Sequence, residues 1–270
     1  MKEIENNEVA FLSRKILDLN KQLMDSEKAK TRFLSLIANE LNNPMTALLG
    51  LIPHLASQNS EKREKILELA EQEALHLDFH IQNLVAAAEI ETGEIKMSYS
   101  LIDPEELIDE VLKALKYWMK EKNIHILIEN NLKQKIVTDS QKLHLIIKNL
   151  LANACAYGNA ESMVKITINS NGDKLTIDVK NQGEGPKVEF KPQIFTRFAQ
   201  QAGGSVHGLG IGLSIVRGLC ELLEGEIDYD ADGEFVTFTV TLPLDTKLPD
   251  SEAYGSNEFL FESFDDSIEI

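Results

Sequence analysis

The second half of the chain contains residues with the types and spacing to hold a phosphate-bearing ligand. Asn149 and Asn153 lie four residues apart in a predicted helix, so their side chains project from one face, one turn apart. Carboxamide oxygens are hard ligands of the kind that Mg²⁺ accepts together with phosphate. We therefore expect these two side chains to lie at a binding site for Mg²⁺ and phosphate.

Glycines follow in two clusters, and glycine lets the backbone approach a ligand closely and turn tightly. The clusters consist of Gly183, Gly185, Gly208, Gly210 and Gly212. The second cluster begins a predicted helix, and the N-terminus of a helix favours phosphate. Together with the two asparagines, this pattern predicts a nucleotide site.

The elements predicted around these residues alternate between helix and strand. Helices are predicted at 104–122, 139–157 and 209–223, and strands at 124–129, 163–169, 174–180, 226–230 and 234–242. Asn171-Gly172 and Asp232-Gly233 are typical of tight turns between paired strands. This order predicts an α/β sandwich, in which helices cover one sheet.

The first 91 residues are predicted to be helical. A heptad spacing of apolar residues predicts a parallel coiled coil over residues 5–30, the alternative being a single amphipathic helix that packs on its own domain. The heptad residues are Val9, Leu12, Ile16, Leu19 and Leu23. The helix continues over 28–57 with a break or kink near Pro44.

A second long helix, from Glu61 to about Glu91, completes a hairpin. Its apolar stripe consists of Ile66, Ala70, Ala74, Leu77, Ile81, Leu84 and Ala88. An isolated hairpin cannot cover this stripe, whereas two hairpins can bury it in a four-helix bundle. We therefore expect a homodimer.

The composition restricts the class of partner. The 270 residues are 43% hydrophobic and 26% charged, with a net charge of −17. Because an acidic surface repels phosphate backbones and anionic lipid, we expect no nucleic-acid partner and no membrane insertion. Cys155 and Cys220 have no metal-ligand spacing and are predicted to be core thiols in a reducing compartment. These features predict a cytoplasmic protein.

Residues 244–270 differ in composition from the rest of the chain. They hold eight acidic residues and one lysine, with four aromatic residues among them. This composition favours disorder. The segment is expected to be either a solvating tail or a short docking peptide for a partner.

Five motifs resemble those of two-component histidine kinases. The segment Phe33 to Gly50, FLSLIANELNNPMTALLG, resembles the phosphoacceptor box of that family. The other four are NLLANACAY (149–157), VKNQGEG (179–185), IFTRFA (194–199) and HGLGIGLSIV (207–216), in the order that the family has them. The resemblance covers roughly residues 28–243 and implies a dimerisation hairpin (28–91) and an ATP-binding domain (96–243). The predicted coiled-coil lead-in (1–27) and the acidic tail (244–270) lie outside it.

The phosphoacceptor box departs from the family at its central residue. The family's histidine falls on Asn39, and an amide nitrogen has no basic lone pair with which to accept a phosphoryl group. His54, His76 and His80 lie in the same hairpin, but none precedes an acid, so we expect them to be surface or bundle residues. The resemblance therefore implies a pseudokinase that does not phosphorylate itself.

Glu40 and Asn43 retain a second pattern of the family. The resemblance implies that Glu40 is the general base for an adjacent histidine, and that a residue at position 43 orients water against the phospho-aspartate of a response regulator. This acid-x-x-Asn pattern needs a positioned water and no phosphorylated histidine. The alternative is ordinary polarity of a helix surface before Pro44.

The nucleotide site is partly altered relative to the family. The resemblance implies that Asn153 binds the metal with Asn149 nearby, that Tyr157 lies against the adenine, and that Phe195 and Leu209 line the site. The family's phosphate-binding lysine falls on Ala156, and Asn181 replaces an aspartate that accepts a hydrogen bond from adenine. Loss of that charge assistance costs about 1 kcal/mol. We expect weakened binding of ATP and Mg²⁺, without steady ATP hydrolysis.

Four functional readings follow. The chain is a degenerate kinase-like signalling protein that binds a response regulator or a partner histidine kinase and retains phosphatase activity through Glu40 and Asn43. Alternatively, it phosphorylates the histidine of a heterodimer partner in trans, or it is a scaffold without catalysis. In the fourth reading it is an active kinase in which Asn39 has been introduced deliberately.

Overall fold

The computed structural model describes residues 2–56, 59–132, 134–183, 195 and 210–246. Two predictions therefore fall on residues outside this description. They are the acidic tail beyond residue 246, and the roles of Gly185, Gly208 and Leu209.

Two long helices form the first part of the chain. Helix α1 spans Lys2–Leu51 and is followed by a 3₁₀ turn at Ile52–Ala56, and helix α2 spans Ser60–Thr92. The side chain of Asn59 caps α2 by accepting a hydrogen bond from the backbone N–H of Lys62, and Gly93 ends the helix with a left-handed φ of 69°. The helical hairpin is confirmed.

The predicted break near Pro44 does not occur, because α1 continues through this residue to Leu51. The lead-in and the first hairpin helix are thus one helix. Ile16, Leu19 and Leu23 of the predicted heptad are exposed in the single chain, and the side chains of Val9 and Leu12 lie outside the description.

A five-stranded sheet forms the centre of the second part. Its strands are β2 (His125–Asn130), β4 (Met163–Asn171), β5 (Lys174–Gln182), β6 (Glu226–Asp232) and β7 (Phe235–Pro243), in the order β2-β4-β5-β7-β6. Strands β2 and β4 are parallel and the other pairs are antiparallel. The two predicted strand pairs around Asn171-Gly172 and Asp232-Gly233 are confirmed.

Two short strands were missed by the sequence reasoning. Strand β1 (Tyr99–Ile102) pairs antiparallel with β3 (Ile136–Asp139) outside the main sheet. Each strand has only four residues, and β3 is buried throughout. Such a segment shows no alternation of apolar and polar residues from which a strand could be predicted.

Four helices accompany the sheet: α3 (Pro104–Ala114), α4 (Lys116–Lys122), α5 (Ser140–Tyr157) and α6 (Gly212–Leu222). The prediction of a single helix over 104–122 is wrong, because the helix is interrupted at Leu115, whose side chain is fully buried. Burying this leucine in the core compensates for the interrupted helix.

The core lies between the sheet and helices α3, α5 and α6. Alternate residues of β4 (Val164, Ile166 and Ile168) are fully buried, as expected for a sheet with one covered face. Cys155 and Cys220 are free and buried, and burial raises their thiol pKa values to about 11 and about 12. The predicted α/β sandwich and core thiols are confirmed.

Candidate functional site

Asp139 fixes the start of helix α5, which carries most of the predicted nucleotide-binding residues. Its buried carboxylate accepts hydrogen bonds from the backbone N–H groups of Lys142 (3.1 Å) and Ser98 (2.8 Å). The Lys142 ammonium lies 3.2 Å from the same carboxylate and also donates to the Lys96 carbonyl oxygen. Asp139 therefore joins the helix to the segment that follows the hairpin.

We expect Asp139→Ala to lower the free energy of unfolding by about 3 kcal/mol, because the variant loses a helix cap, leaves the part-buried N–H of Ser98 without its acceptor and removes the carboxylate beside the Lys142 ammonium. Asp103→Ala is the matched control, since Asp103 caps α3 from an exposed position. Its loss is expected to be about 1 kcal/mol. Urea denaturation measures both values, and equal losses would contradict the linking role of Asp139.

Asn149 joins three helices. Its Nδ2 donates to Asn83 Oδ1 of α2 (2.7 Å) and to the Leu145 carbonyl oxygen of its own helix (2.9 Å). Its Oδ1 faces Gly212 at the start of α6, where a β-carbon would lie 2.7 Å from that oxygen. The amide of Asn149 is therefore held by the hairpin, which the sequence did not indicate.

Asn153 lies one turn further along α5. Its Nδ2 is buried and has no hydrogen-bond partner in the part of the chain that the structure describes. A buried polar group without a partner indicates that a ligand or water completes the site. The Nδ2 group of Asn153 can donate a hydrogen bond to a phosphate oxygen or a water, and the amide oxygens of Asn149 and Asn153 are of the type that suits Mg²⁺.

The residues predicted to lie around the adenine are brought together. Gly183 follows strand β5, and a β-carbon there would lie 2.5 Å from the Tyr157 carbonyl oxygen and 3.3 Å from Asn181 Nδ2. Asn181 is buried, whereas the side chain of Tyr157 is exposed. The end of α5 therefore packs directly against the end of β5, and only glycine fits at position 183.

Lys122 is a cation of this region that the sequence reasoning missed. Its ammonium donates to the carbonyl oxygens of Ala156 and Gly158, the latter at 3.1 Å. A cation at the C-terminus of α5 is favoured by the helix dipole. No sequence signal could have revealed it, because Lys122 and Ala156 are 34 residues apart.

The second glycine cluster is described only from Gly210 onward. Gly210 has a left-handed φ of 64°, and Gly212 is the first residue of α6. Phe195 is buried and lines a cavity together with Arg217, Glu221 and Ile227.

On the hairpin, Asn39 and Asn43 are exposed one turn apart on α1, and Asn42 is exposed beside them. Glu40 turns inward, so that its Oε2 lies 3.7 Å from His80 Nε2 of α2, and both side chains are 18% exposed. Burial lowers the pKa of His80, which the carboxylate of Glu40 opposes. His80 is a bundle residue, as expected, but it has an acid as neighbour in space.

Helix α2 packs against the sheet domain through α4. Glu71 accepts hydrogen bonds from Lys116 Nζ (2.7 Å) and from the Tyr117 hydroxyl (2.5 Å). Trp118 lies with its ring centroid 4.3 Å from that of His76 and 5.8 Å from that of Phe79. The hairpin and the sheet domain are therefore in direct contact.

A buried lysine extends this contact to α5. Lys148 is only 2% exposed and lies over the Phe79 ring, 5.1 Å from its centroid. Its ammonium donates to Gln82 Oε1 (3.1 Å) and lies 3.6 Å from Asp78 Oδ2. Burial lowers the pKa of Lys148, and the Asp78 carboxylate opposes this shift. Residues of α2 thus hold Asn149, which begins the predicted nucleotide motif, and Lys148, which precedes it.

Two protein families match the chain. The His Kinase A (phospho-acceptor) domain matches residues 29–93, and the family described as histidine kinase-, DNA gyrase B- and HSP90-like ATPase matches residues 138–246. The second match indicates ATP binding.

Curated relatives include sensor kinases of bacteria. An uncharacterized sensor-like histidine kinase of Rhizobium meliloti is 26% identical over 80% of this chain and 43% of its own length. The heme sensor protein HssS of Staphylococcus haemolyticus is 23% identical over 88% of this chain and 52% of its own. The chain thus spans about half the length of these relatives.

Solved structures share the fold. The histidine kinase AdeS of Acinetobacter baumannii superimposes with a TM-score of 0.54 at 20% identity, over 76% of this chain and 97% of that one. Full-length ShkA in complex with AMPPNP gives a TM-score of 0.58 at 22% identity, over 83% of this chain and 47% of its own.

In the described residues, no helix is long and apolar enough to span a membrane. The hairpin precedes the ATP-binding sandwich, in the order in which the two families match the chain. The chain thus combines a hairpin that matches the His Kinase A (phospho-acceptor) domain with a sheet domain that matches the histidine kinase-, DNA gyrase B- and HSP90-like ATPase family.

Proposed function

We propose that this chain binds a phosphorylated response regulator on the exposed face of α1 and removes the phosphoryl group from the regulator's aspartate. The observation that carries the proposal is the pair of exposed carboxamides at Asn39 and Asn43, one turn apart, with Asn39 at the position where the family has its phosphoacceptor histidine. A face with this chemistry can position water but cannot carry a phosphoryl group.

In the proposed reaction, water attacks the phosphorus atom of the acyl phosphate. The bond between phosphorus and the aspartate oxygen breaks, releasing inorganic phosphate and the free carboxylate. Asn43 orients the water through its amide. The proposal assigns the proton of the water to the carboxylate of Glu40, which faces His80 in the single chain and reaches the water after its side chain turns toward the exposed face. Asn39 contributes contact surface.

We expect Asn43→Ala to slow the dephosphorylation of the regulator about 100-fold, because the attacking water loses its orientation. The measurement follows loss of phosphate from receiver domains that have been phosphorylated with acetyl phosphate. Asn42→Ala is the matched control, since it removes an exposed carboxamide of the same helix and is expected to leave the rate unchanged. An Asn43→Ala variant as fast as the wild-type chain would refute the proposal.

We propose further that the hairpin pairs with a second hairpin, either of the same chain or of a histidine kinase. Large apolar side chains on both helices are exposed in the single chain, and a second hairpin would bury them. They are Leu34, Met45, Leu49, Ile52, Leu67, Leu69, Ile81 and Val85.

A second candidate function is phosphorylation of a partner's histidine in trans. Two observations favour it: Tyr157, Asn181 and Gly183 lie together, and Asn153 Nδ2 has no hydrogen-bond partner among the described residues. Asn181 and Ala156 argue for weakened binding of ATP and Mg²⁺ and hence for low efficiency. Labelled ATP added with a partner kinase whose own nucleotide site is inactivated should label that partner only under this reading.

A further inference from the structure

We infer that Asn83, on hairpin helix α2, is a positioning residue of the nucleotide site: it orients the amide of Asn149, so that binding of Mg²⁺-nucleotide depends on docking of the hairpin against the ATP-binding domain. The inference rests on nucleotide binding by that domain. It adds a residue from outside the domain that no motif of the sequence indicates.

The hydrogen bond between Asn83 and Asn149 is short and buried. Asn83 is 5% and Asn149 is 3% exposed, and Asn149 Nδ2 donates to Asn83 Oδ1 at 2.7 Å. The second hydrogen of the same amide goes to the Leu145 carbonyl oxygen at 2.9 Å. Because one hydrogen is donated to the hairpin and the other to α5 itself, Oδ1 of Asn149 is turned toward Gly212. A flipped amide would bring its oxygen against two other oxygens, which is unfavourable.

The orientation matters because the oxygen faces the start of α6. That helix begins at Gly212 directly after the second glycine cluster, and a β-carbon at Gly212 would lie 2.7 Å from Asn149 Oδ1. A helix N-terminus favours phosphate, and an amide oxygen suits Mg²⁺ and its bound waters. Mutation of a residue that hydrogen-bonds to a metal ligand and orients it typically lowers metal affinity 10- to 100-fold.

Asn83 holds this position only while the hairpin is docked. Gln82 and Asp78 on the same helix engage Lys148, the residue before Asn149, and Phe79 lies under the Lys148 ammonium. Docking and nucleotide binding should therefore strengthen each other equally, as linkage requires. Trp118 is the single tryptophan of the chain and contacts His76 and Phe79 of α2, so its emission reports docking.

The test titrates the full-length chain with AMPPNP by calorimetry, with Mg²⁺ and then with EDTA. We expect Asn83→Ala to weaken binding about tenfold in Mg²⁺ and to change it little in EDTA. Asn83→Asp keeps an acceptor oxygen facing Asn149 and is expected to recover most of the lost affinity. Asn42→Ala is the control, because it removes an exposed carboxamide of hairpin helix α1 and is expected to leave nucleotide binding unchanged.

Trp118 emission supplies the second measurement. In the wild-type chain, AMPPNP with Mg²⁺ should shift the emission with the same midpoint as the calorimetric titration. In Asn83→Ala the starting emission should resemble that of the wild-type chain, showing that the variant is folded and docked, while the shift requires about tenfold more nucleotide.

Three results would overturn the inference: an Asn83→Ala variant that binds as tightly as the wild-type chain or more tightly, an equal loss with and without Mg²⁺, or no recovery in Asn83→Asp. Absence of any binding by the wild-type chain would refute nucleotide binding itself, and the inference with it. Normal binding by the wild-type chain together with an unaffected Asn83→Ala would refute the inference alone.

Discussion

Replacing Asn39 with His is expected to leave the chain almost unlabelled by radioactive ATP, whereas the triple variant Asn39→His, Ala156→Lys, Asn181→Asp is expected to become strongly labelled. The single variant supplies an imidazole on the exposed face of α1, next to Glu40. It does not repair the nucleotide site, where the resemblance to histidine kinases implies a missing lysine and a missing carboxylate. The second and third substitutions restore a phosphate-binding cation and a charged acceptor for adenine.

The labelled product should be stable to alkali and labile to acid, as a phosphoramidate is. A triple variant with Gln instead of His at position 39 is the matched control, because it has the repaired site without the imidazole. Strong labelling of the single Asn39→His variant would contradict the expectation of a weakened site. No labelling of the triple variant would show that the docked hairpin, and not the altered residues, prevents transfer.

Acidification is expected to lower the free energy of unfolding by up to about 3 kcal/mol between pH 6.5 and pH 4, through His144. The pKa of His144 is lowered to about 4, mainly by burial and also by the neighbouring Lys148, whereas Asp78 opposes both effects. In the unfolded chain the imidazole titrates near pH 6.5. Below that pH the imidazole of the unfolded chain binds a proton, whereas the buried imidazole of the folded chain does not. The contribution of His144 to the free energy of unfolding is therefore fully present above pH 6.5 and is lost as the pH falls toward 4.

The expected loss of about 3 kcal/mol follows because the pKa of His144 differs by about 2.5 between the folded and the unfolded chain, and a difference of one in pKa corresponds to about 1.4 kcal/mol. Urea denaturation at pH 7, 6 and 5 measures it. His144→Gln should flatten the dependence over this range, and His54→Gln, at an exposed histidine of the hairpin, should retain it. Equal slopes in His144→Gln and the wild-type chain would assign the acid sensitivity to other groups.

Much of the fold could be predicted because its signals are local. The strand pairs around Asn171-Gly172 and Asp232-Gly233 follow from turn chemistry and a two-residue period, and α2 follows from its apolar stripe and the turn at Asn59. The break at Leu115 could not be predicted, because the residues on both sides of it favour helix and only burial in the core interrupts them. Strands β1 and β3 were missed because their pairing joins distant segments.

The residue types of the candidate site were likewise visible in the sequence. Asn149 and Asn153 are one helical turn apart, the glycines lie in short clusters, and Asn39 stands in its own motif on α1. Their partners were not. Asn149 meets Asn83 across 66 residues of chain, Lys148 meets Gln82 across the same separation, and Glu40 meets His80 only because the hairpin closes.

The sequence by itself determined the helices, the main sheet and the loss of an imidazole at position 39, because these depend on side-chain chemistry and on neighbours a few residues away. Only the tertiary structure decided which faces of α2, α4 and α5 meet, because that choice depends on burying Lys148, Trp118 and Asn149 together. Such burial is a property of packed surfaces, and no short stretch of sequence contains it.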